Sequence, residues 1–247
     1  MRLSRKTAVF TTLAVAAFAL GGVALGRAAP TEAGDFYLIC NPGCVASTGS
    51  THILGHSSKT SFTVPSGVSG APTVVCTNST AGGTPPAKAA GLAPFAISPL
   101  PVFNDGSSTL PCKDQFGNRY TETSNNTNGK WTIGFIDFGS ETTTEPNSGD
   151  RLSVHIPRAG AIVKSSTGCV ITVAPWAAVT ISSPYTDGVS GVYHFNVNIK
   201  SLPVRITGTT TCPLITPSTS SCAGQKPAVC SSFVGVYAFK PGVRDSA

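Results

Sequence analysis

Four histidines and 11 acidic side chains are all that this 247-residue chain offers for acid–base chemistry, so their spacing decides what they can do. His52 and His56 stand four apart, which on a helix would place both imidazoles on one face for a metal. Gly49, Gly55 and the Ser and Thr around them predict a loop or strand instead, where that geometry is lost. His155 and His194 fall on the polar faces of predicted strands, where a solvated imidazole needs no special role. Gly67-Val68-Ser69-Gly70-Ala71 approximates the elbow of a serine hydrolase, whose nucleophile needs a His base and an orienting carboxylate. Nearly the same letters recur at Gly188-Val189-Ser190-Gly191 inside a predicted hairpin turn, so turn chemistry accounts for both. Glu141, Glu145 and Asp150 gather in a polar stretch without the Asp-x-Asp spacing of a calcium loop, and no carboxylate pair stands out for glycoside hydrolysis. Lys113, Asp114 and Arg119 around a Gly117-Asn118 turn read as ordinary surface charge. The expectation is a protein without catalytic residues, metal or cofactor.

Cysteines and aromatic rings carry the remaining chemistry. Cys40, Cys44, Cys76, Cys112, Cys169, Cys212, Cys222 and Cys230 are even in number, as a disulfide framework requires. The turn Asn41-Pro42-Gly43 could present Cys40 and Cys44 to zinc, but no companion pair with matching spacing follows. Among the rings, Trp131 lies in the most apolar segment and is assigned to the core. Trp176, between Pro175 and Ala177, is expected at a strand end and exposed. Trp176 and Tyr185 are the candidate ligand-binding residues, as a stacking platform for a sugar ring; core packing is the competing use of all these rings, Tyr120, Tyr193 and Tyr237 included.

The elements that would position these groups are strands. Charged residues make up 11% of the chain, with 26 Gly and 19 Pro, a composition poor for helices and suited to short strands joined by turns. Asp35–Ile39, Ser61–Val64, Thr73–Cys76 and Trp131–Phe138 read as strands, the last apolar on both faces as a central strand should be. Leu152, Val154 and Ile156 alternate with Arg151, Ser153 and His155, giving that strand one wet face. Cys169, Ile171 and Val173 repeat the alternation. Tyr193, Phe195, Val197 and Ile199 are expected to face one way, with His194, Asn196 and Asn198 opposite. Phe233–Phe239 closes the series. The region from Pro85 to Pro101, with five prolines, reads as an irregular crossing segment.

The expected fold is therefore all-β, a disulfide-stapled β-sandwich architecture that can be divided into two tandem halves, 30–138 and 151–247, joined by a polar linker at 139–150. The halves share an order of phrases. Val64-Pro65, Cys76, Leu100-Pro101-Val102 and Cys112 in the first answer to Ile156-Pro157, Cys169, Leu202-Pro203-Val204 and Cys212 in the second. If that is a duplication, Cys76 pairs with Cys112 and Cys169 with Cys212, leaving Cys222 for Cys230 and Cys40 for Cys44. This is one of 105 connectivities, and spacing alone does not choose among them.

The N-terminus has the order of an export signal: basic Arg2, Arg5 and Lys6, an uncharged run from Thr7 to Gly26, then small residues, with cleavage expected after Gly26 or Ala29. The competing reading is a retained membrane anchor. Residues 1–29 are thus expected as a signal helix, the only contact with a membrane. Cleavage after Gly26 lowers the formal charge from +6 to +3 and cleavage after Ala29, which takes Arg27 as well, to +2, and no run of Lys or Arg remains for nucleic acid.

Several phrases resemble a group of exported, β-rich actinobacterial proteins with no assigned activity. They are Asn125-Asn126-Thr127-Asn128-Gly129-Lys130-Trp131, the stretch from Ile156-Pro157 through Gly168-Cys169 to Ala174-Pro175, Thr211-Cys212-Pro213, and Phe233 with Tyr237 and Pro241. The resemblance implies secretion and a β fold, and supplies no site. The resulting expectation is an extracellular or envelope-associated protein acting through its surface, with a cell-wall or other extracellular component as partner. The alternatives are a module binding carbohydrate or a small apolar ligand and, third, a hydrolase.

Overall fold

The computed structural model describes residues 37–40, 43–65, 67, 69–90, 92–107, 110–137, 151–187, 192–212 and 214–245. The predicted signal, the linker with Glu141, Glu145 and Asp150, and the turn at 188–191 lie outside them. The chain opens with β1 (Tyr37–Cys40), β2 (Cys44–Ala46), β3 (Ile53–Ser57), β4 (Thr60–Thr63), β5 (Thr73–Cys76) and β6 (Asn78–Gly83). One 3-10 turn, Lys88–Ala90, precedes β7 (Phe95–Ala96), β8 (Val102–Asn104), β9 (Cys112–Lys113), β10 (Arg119–Ser124) and β11 (Thr132–Asp137). Then come β12 (Arg151–Ile156), β13 (Ala161–Ser165), β14 (Cys169–Val173), β15 (Val179–Asp187), β16 (Tyr193–Gly208), β17 (Val229–Phe239) and β18 (Gly242–Asp245). The fold is all-β, as expected.

Pairing closes the main sheet on itself twice. One circuit runs β16-β14-β13-β10-β9-β5-β4-β17 and returns to β16. The second runs β16-β15-β12-β11-β7, crosses from Ile97 to Gly83 by an isolated bridge, and returns through β6, β3 and β17. Both circuits use the long β16–β17 ladder and both border one continuous core. Closure of this kind removes strand edges that would otherwise invite pairing with other chains.

Each circuit takes four strands from residues 30–138 and four from 151–247. The expected tandem division is therefore corrected: the two segments interleave within one compact unit, Gly34–Ala247.

β16 shows how one strand serves both circuits. Tyr193, Phe195 and Val197 are buried, and the predicted alternation holds to that point. Between Ile199 and Leu202 the register with β17 slips, so Lys200 and Ser201 face only Ser232. This bulge reverses the parity, and Leu202, Val204 and Ile206 become the buried set. A second departure lies in β12, where Ser153, expected on a wet face, is 8% exposed. Its hydroxyl donates to the Gly134 carbonyl at 2.9 Å, which makes burial tolerable.

A separate three-stranded sheet, β18-β1-β2, brings Tyr37 and Val243 against an aromatic cluster. Tyr37 meets Phe95 edge-on at 5.4 Å and Phe135 at 5.8 Å. Tyr185 stacks on Tyr193 at 5.6 Å and meets Phe135 edge-on at 5.6 Å. The tyrosine ring of residue 193 lies so close to Gly242 that any Cβ there would collide with it.

Four disulfides staple the structure: Cys40–Cys44, Cys76–Cys112, Cys169–Cys212 and Cys222–Cys230. Cys40 and Cys44 bind each other rather than a metal. Both long-range bridges lie on the β5–β9–β14 circuit, closing loops with sequence separations of 36 and 43. Each is worth about 4 kcal/mol in the chain-entropy treatment.

Candidate functional site

Inward-facing side chains of both circuits surround a cavity of about 120 Å³. Phe62, Ile133, Val163, Phe195 and Phe233 are among the residues forming its wall, and Glu122 and Tyr237 reach it from β10 and β17. Strand pleating places these residues: Tyr120, Glu122 and Ser124 alternate inward on β10 with Thr121 and Thr123 exposed, and Tyr237 and Phe239 alternate with Val236. The volume approaches the ~150 Å³ at which an apolar protein cavity stays dry and accepts benzene or xenon.

The polar tips along this wall are almost all engaged. Trp131 Nε1 donates to the carbonyls of Asn125 and Gly160, each at 3.1 Å. Tyr120 donates its phenol proton to Asp114 Oδ2 at 3.1 Å, and burial followed by the Asp114 charge raises that phenol's pKa. Burial also pushes Asp114 upward, but hydrogen bonds from Asn118, the Phe116 amide and Tyr120 outweigh it and hold the carboxylate below its usual range. Thr60 Oγ1 accepts from Ser79 Oγ at 3.4 Å. Burial raises the pKa of the Tyr237 phenol, and the nearby Ser79 hydroxyl only partly opposes that.

Glu122 is the exception. Its one hydrogen bond among the described residues comes from the Ser124 hydroxyl to Oε1. Burial raises its pKa from 4.5 to about 7, and the Ser124 bond only partly opposes that. Glu122 is part-buried, so the lone-pair sites left over by Ser124 remain open to water.

The residues singled out from sequence lie elsewhere. Trp176 is 43% exposed, as expected, but is tied down: Nε1 donates to the Pro227 carbonyl at 3.0 Å, and the Arg205 guanidinium lies 5.0 Å from the ring centroid. Tyr185 is 0% exposed, and its hydroxyl accepts from the Val243 amide at 3.2 Å. The platform of Trp176 with Tyr185 is therefore corrected, because Tyr185 inside the aromatic cluster presents no face to solvent. Trp131 is core, 6% exposed. His52, just before β3, contacts the Ser98 carbonyl at 2.6 Å and His56, on the exposed face of β3, contacts Asn78 Oδ1 at 2.9 Å, so the two are not paired on a helix. His155 Nδ1 lies 3.3 Å from Thr180 Oγ1, and Ser69 is exposed in the turn between β4 and β5. Among the described residues, no three His, Cys, Asp or Glu side chains cluster as metal ligands.

Glu122 escaped notice because Arg119-Tyr120-Thr121-Glu122-Thr123-Ser124 has one apolar residue and reads as a solvated segment. The usable signals were the Gly117-Asn118 turn before it and the β-branched Thr121 and Thr123 around the acid.

Fold and site together define a disulfide-stapled, closed-sheet β protein with an apolar interior cavity. The sequence matches no protein-family model, no curated protein and no solved structure.

Proposed function

We propose that this is an extracellular binding protein that holds a small apolar molecule inside its closed sheet. The observation that carries the reading is the cavity of about 120 Å³, walled by aliphatic and aromatic side chains whose polar tips are turned to protein partners. Four intramolecular disulfides are more typical of extracellular proteins. The export signal expected at 1–29 and the resemblance to secreted actinobacterial β proteins accord with that location.

The test is ligand-linked stability. Benzene bound to the folded state alone raises the melting temperature in proportion to RT ln(1 + [L]/Kd). A dose-dependent rise, with xenon bound at the same place in a pressurised crystal, is the expected result. No rise and no xenon inside the sheet would dismiss the cavity as packing space.

A second reading, binding through the surface, has one observation in its favour: Trp176 is an exposed ring with Arg205 over it. Saturable quenching by cell-wall glycans that disappears in Trp176→Ala is its expected result.

A further inference from the structure

Resting on the surface reading and not on the cavity, we infer that the partner is an acidic polysaccharide, whose carboxylate is received by the Arg205 guanidinium where it lies over the Trp176 ring. A good deal of structure holds one exposed indole in place. Trp is highly buried on average, yet Trp176 is 43% exposed. Its ring nitrogen is anchored on the Pro227 carbonyl and its amide on Oε1 of the buried Gln225. The Cys222–Cys230 bridge closes the loop that carries both of these partners. A ring fixed in this way loses little conformational freedom on binding, and Trp beside Arg is the pairing from which interface anchors are most often built.

Arg205 selects the chemistry. It lies on the outer side of β16 between the buried Val204 and Ile206, with its guanidinium 5.0 Å from the indole centroid, and it pairs with no carboxylate among the described residues. A guanidinium resting on a ring keeps its N–H fork for another partner, and that fork matches the two oxygens of a carboxylate. The surroundings carry one sign of charge. Residues 161–186 and 193–240, which supply β13, β14, β16, β17 and the loop that anchors Trp176, contain no Asp or Glu. Lys164 projects from the same outer face on β13, where Ile162 stands level with Thr172 and Arg205, and the exposed Lys226 adjoins Pro227. A surface of one sign draws in a polymer of the other. Three spaced cations are too few for nucleic acid, whose affinity is the sum of many phosphate contacts. A neutral sugar would use the ring and leave the charge unanswered.

The test compares trigalacturonate with its methyl ester, which keeps the same sugar rings and loses the charge. Calorimetric titration of the full protein at neutral pH is expected to show the acid binding roughly 10-fold or more tightly than the ester, the usual value of a hydrogen bond between charged groups. The preference is expected to vanish in Arg205→Gln and to return only in part in Arg205→Lys, which keeps the charge without the fork. Should Arg205→Gln fail to fold, salt supplies the second measurement in the wild type: it weakens binding of the acid and leaves the ester unaffected. A glycerol phosphate oligomer of equal charge separates carboxylate from phosphate, and is expected to bind more weakly because it has no sugar ring to lie along the indole. Equal binding of acid and ester, a preference surviving in Arg205→Gln, binding of the acid insensitive to salt, or phosphate binding as tight as carboxylate would each overturn the inference. If acid and ester bind equally and Trp176→Ala abolishes both, the surface reading stands without it. Binding of neither would also overturn the inference, and the surface reading would then rest on quenching by cell-wall glycans alone.

Discussion

Glu122 on β10 and Tyr237 on β17 stand four strands apart by either route round the first circuit, yet the carboxylate is close enough to add to the cost of ionising the phenol. Both residues border the same cavity. Their relationship is a product of closure, since no ladder joins their strands.

The first prediction follows from the raised pKa of Glu122. Folding strengthens its hold on the proton, so its contribution is fully present below the unfolded value of 4.5 and is lost as pH rises through about 7. Unfolding free energy is expected to fall across pH 4.5–7 by up to about 3 kcal/mol, less where water reaches the carboxyl. Asp114 has the opposite sign, because its lowered pKa makes its contribution disappear as pH falls below the carboxylate range. Urea titrations from pH 4 to 8 should show the decline in wild type and a flat profile in Glu122→Gln. An equal slope in both proteins would separate the effect from this residue.

Filling the cavity should trade binding for stability. Val163 sits opposite Glu122 in the β10–β13 register and borders the cavity. Val163→Ile adds one methylene to empty space and is expected to stabilise by about 1 kcal/mol, while weakening benzene binding. Destabilisation on thermal melting would mean that the wall is already closely packed.

Gln225 holds the chain at Trp176 and Ala177 from 49 and 48 residues away. Its Oε1 accepts from the amides of Trp176 at 3.0 Å and Ala177 at 3.3 Å, and Nε2 donates to the Ala177 carbonyl at 3.1 Å. Gln225 is 7% exposed, so Gln225→Ala leaves backbone groups without their partner and should cost about 2–3 kcal/mol. Amide exchange at Trp176 and Ala177 should accelerate more than exchange in β10. Unchanged protection there would show that water replaces the side chain freely.

The disulfides should rank by loop length. Replacing Cys76 and Cys112 together with Ser is expected to cost about 4 kcal/mol, against about 2.5 kcal/mol for Cys222 with Cys230, whose sequence separation is 8. Denaturant midpoints of the two double variants test the order. A larger loss from the short loop would point to its packing against Ser201 and Trp176, rather than loop closure, as what that bridge protects.

The bridges also show how a correct expectation can rest on an incomplete reason. The paired phrases pointed to Cys76–Cys112 and Cys169–Cys212, and both bonds are present. The phrases nevertheless occupy unlike places: Leu100-Pro101-Val102 leads into β8, which pairs with β6 alone, whereas Leu202-Pro203-Val204 lies inside β16 between β14 and β17. Spacing marked which thiols are brought near by short connections, without revealing the sheet that connects them.

Residue types alone determined that this chain forms strands, that Trp131 and, on β16, Tyr193, Phe195 and Val197 turn inward, and that its cysteines join in pairs. These are local matters of propensity, alternation and thiol chemistry. Tertiary structure decided that strands from either side of 139–150 interleave, that Tyr185 is buried while Trp176 is not, and that Glu122 faces a cavity. A polar six-residue strand contains no sign of which face will be enclosed. Only the closing of the sheet settles which side of β10 loses its water.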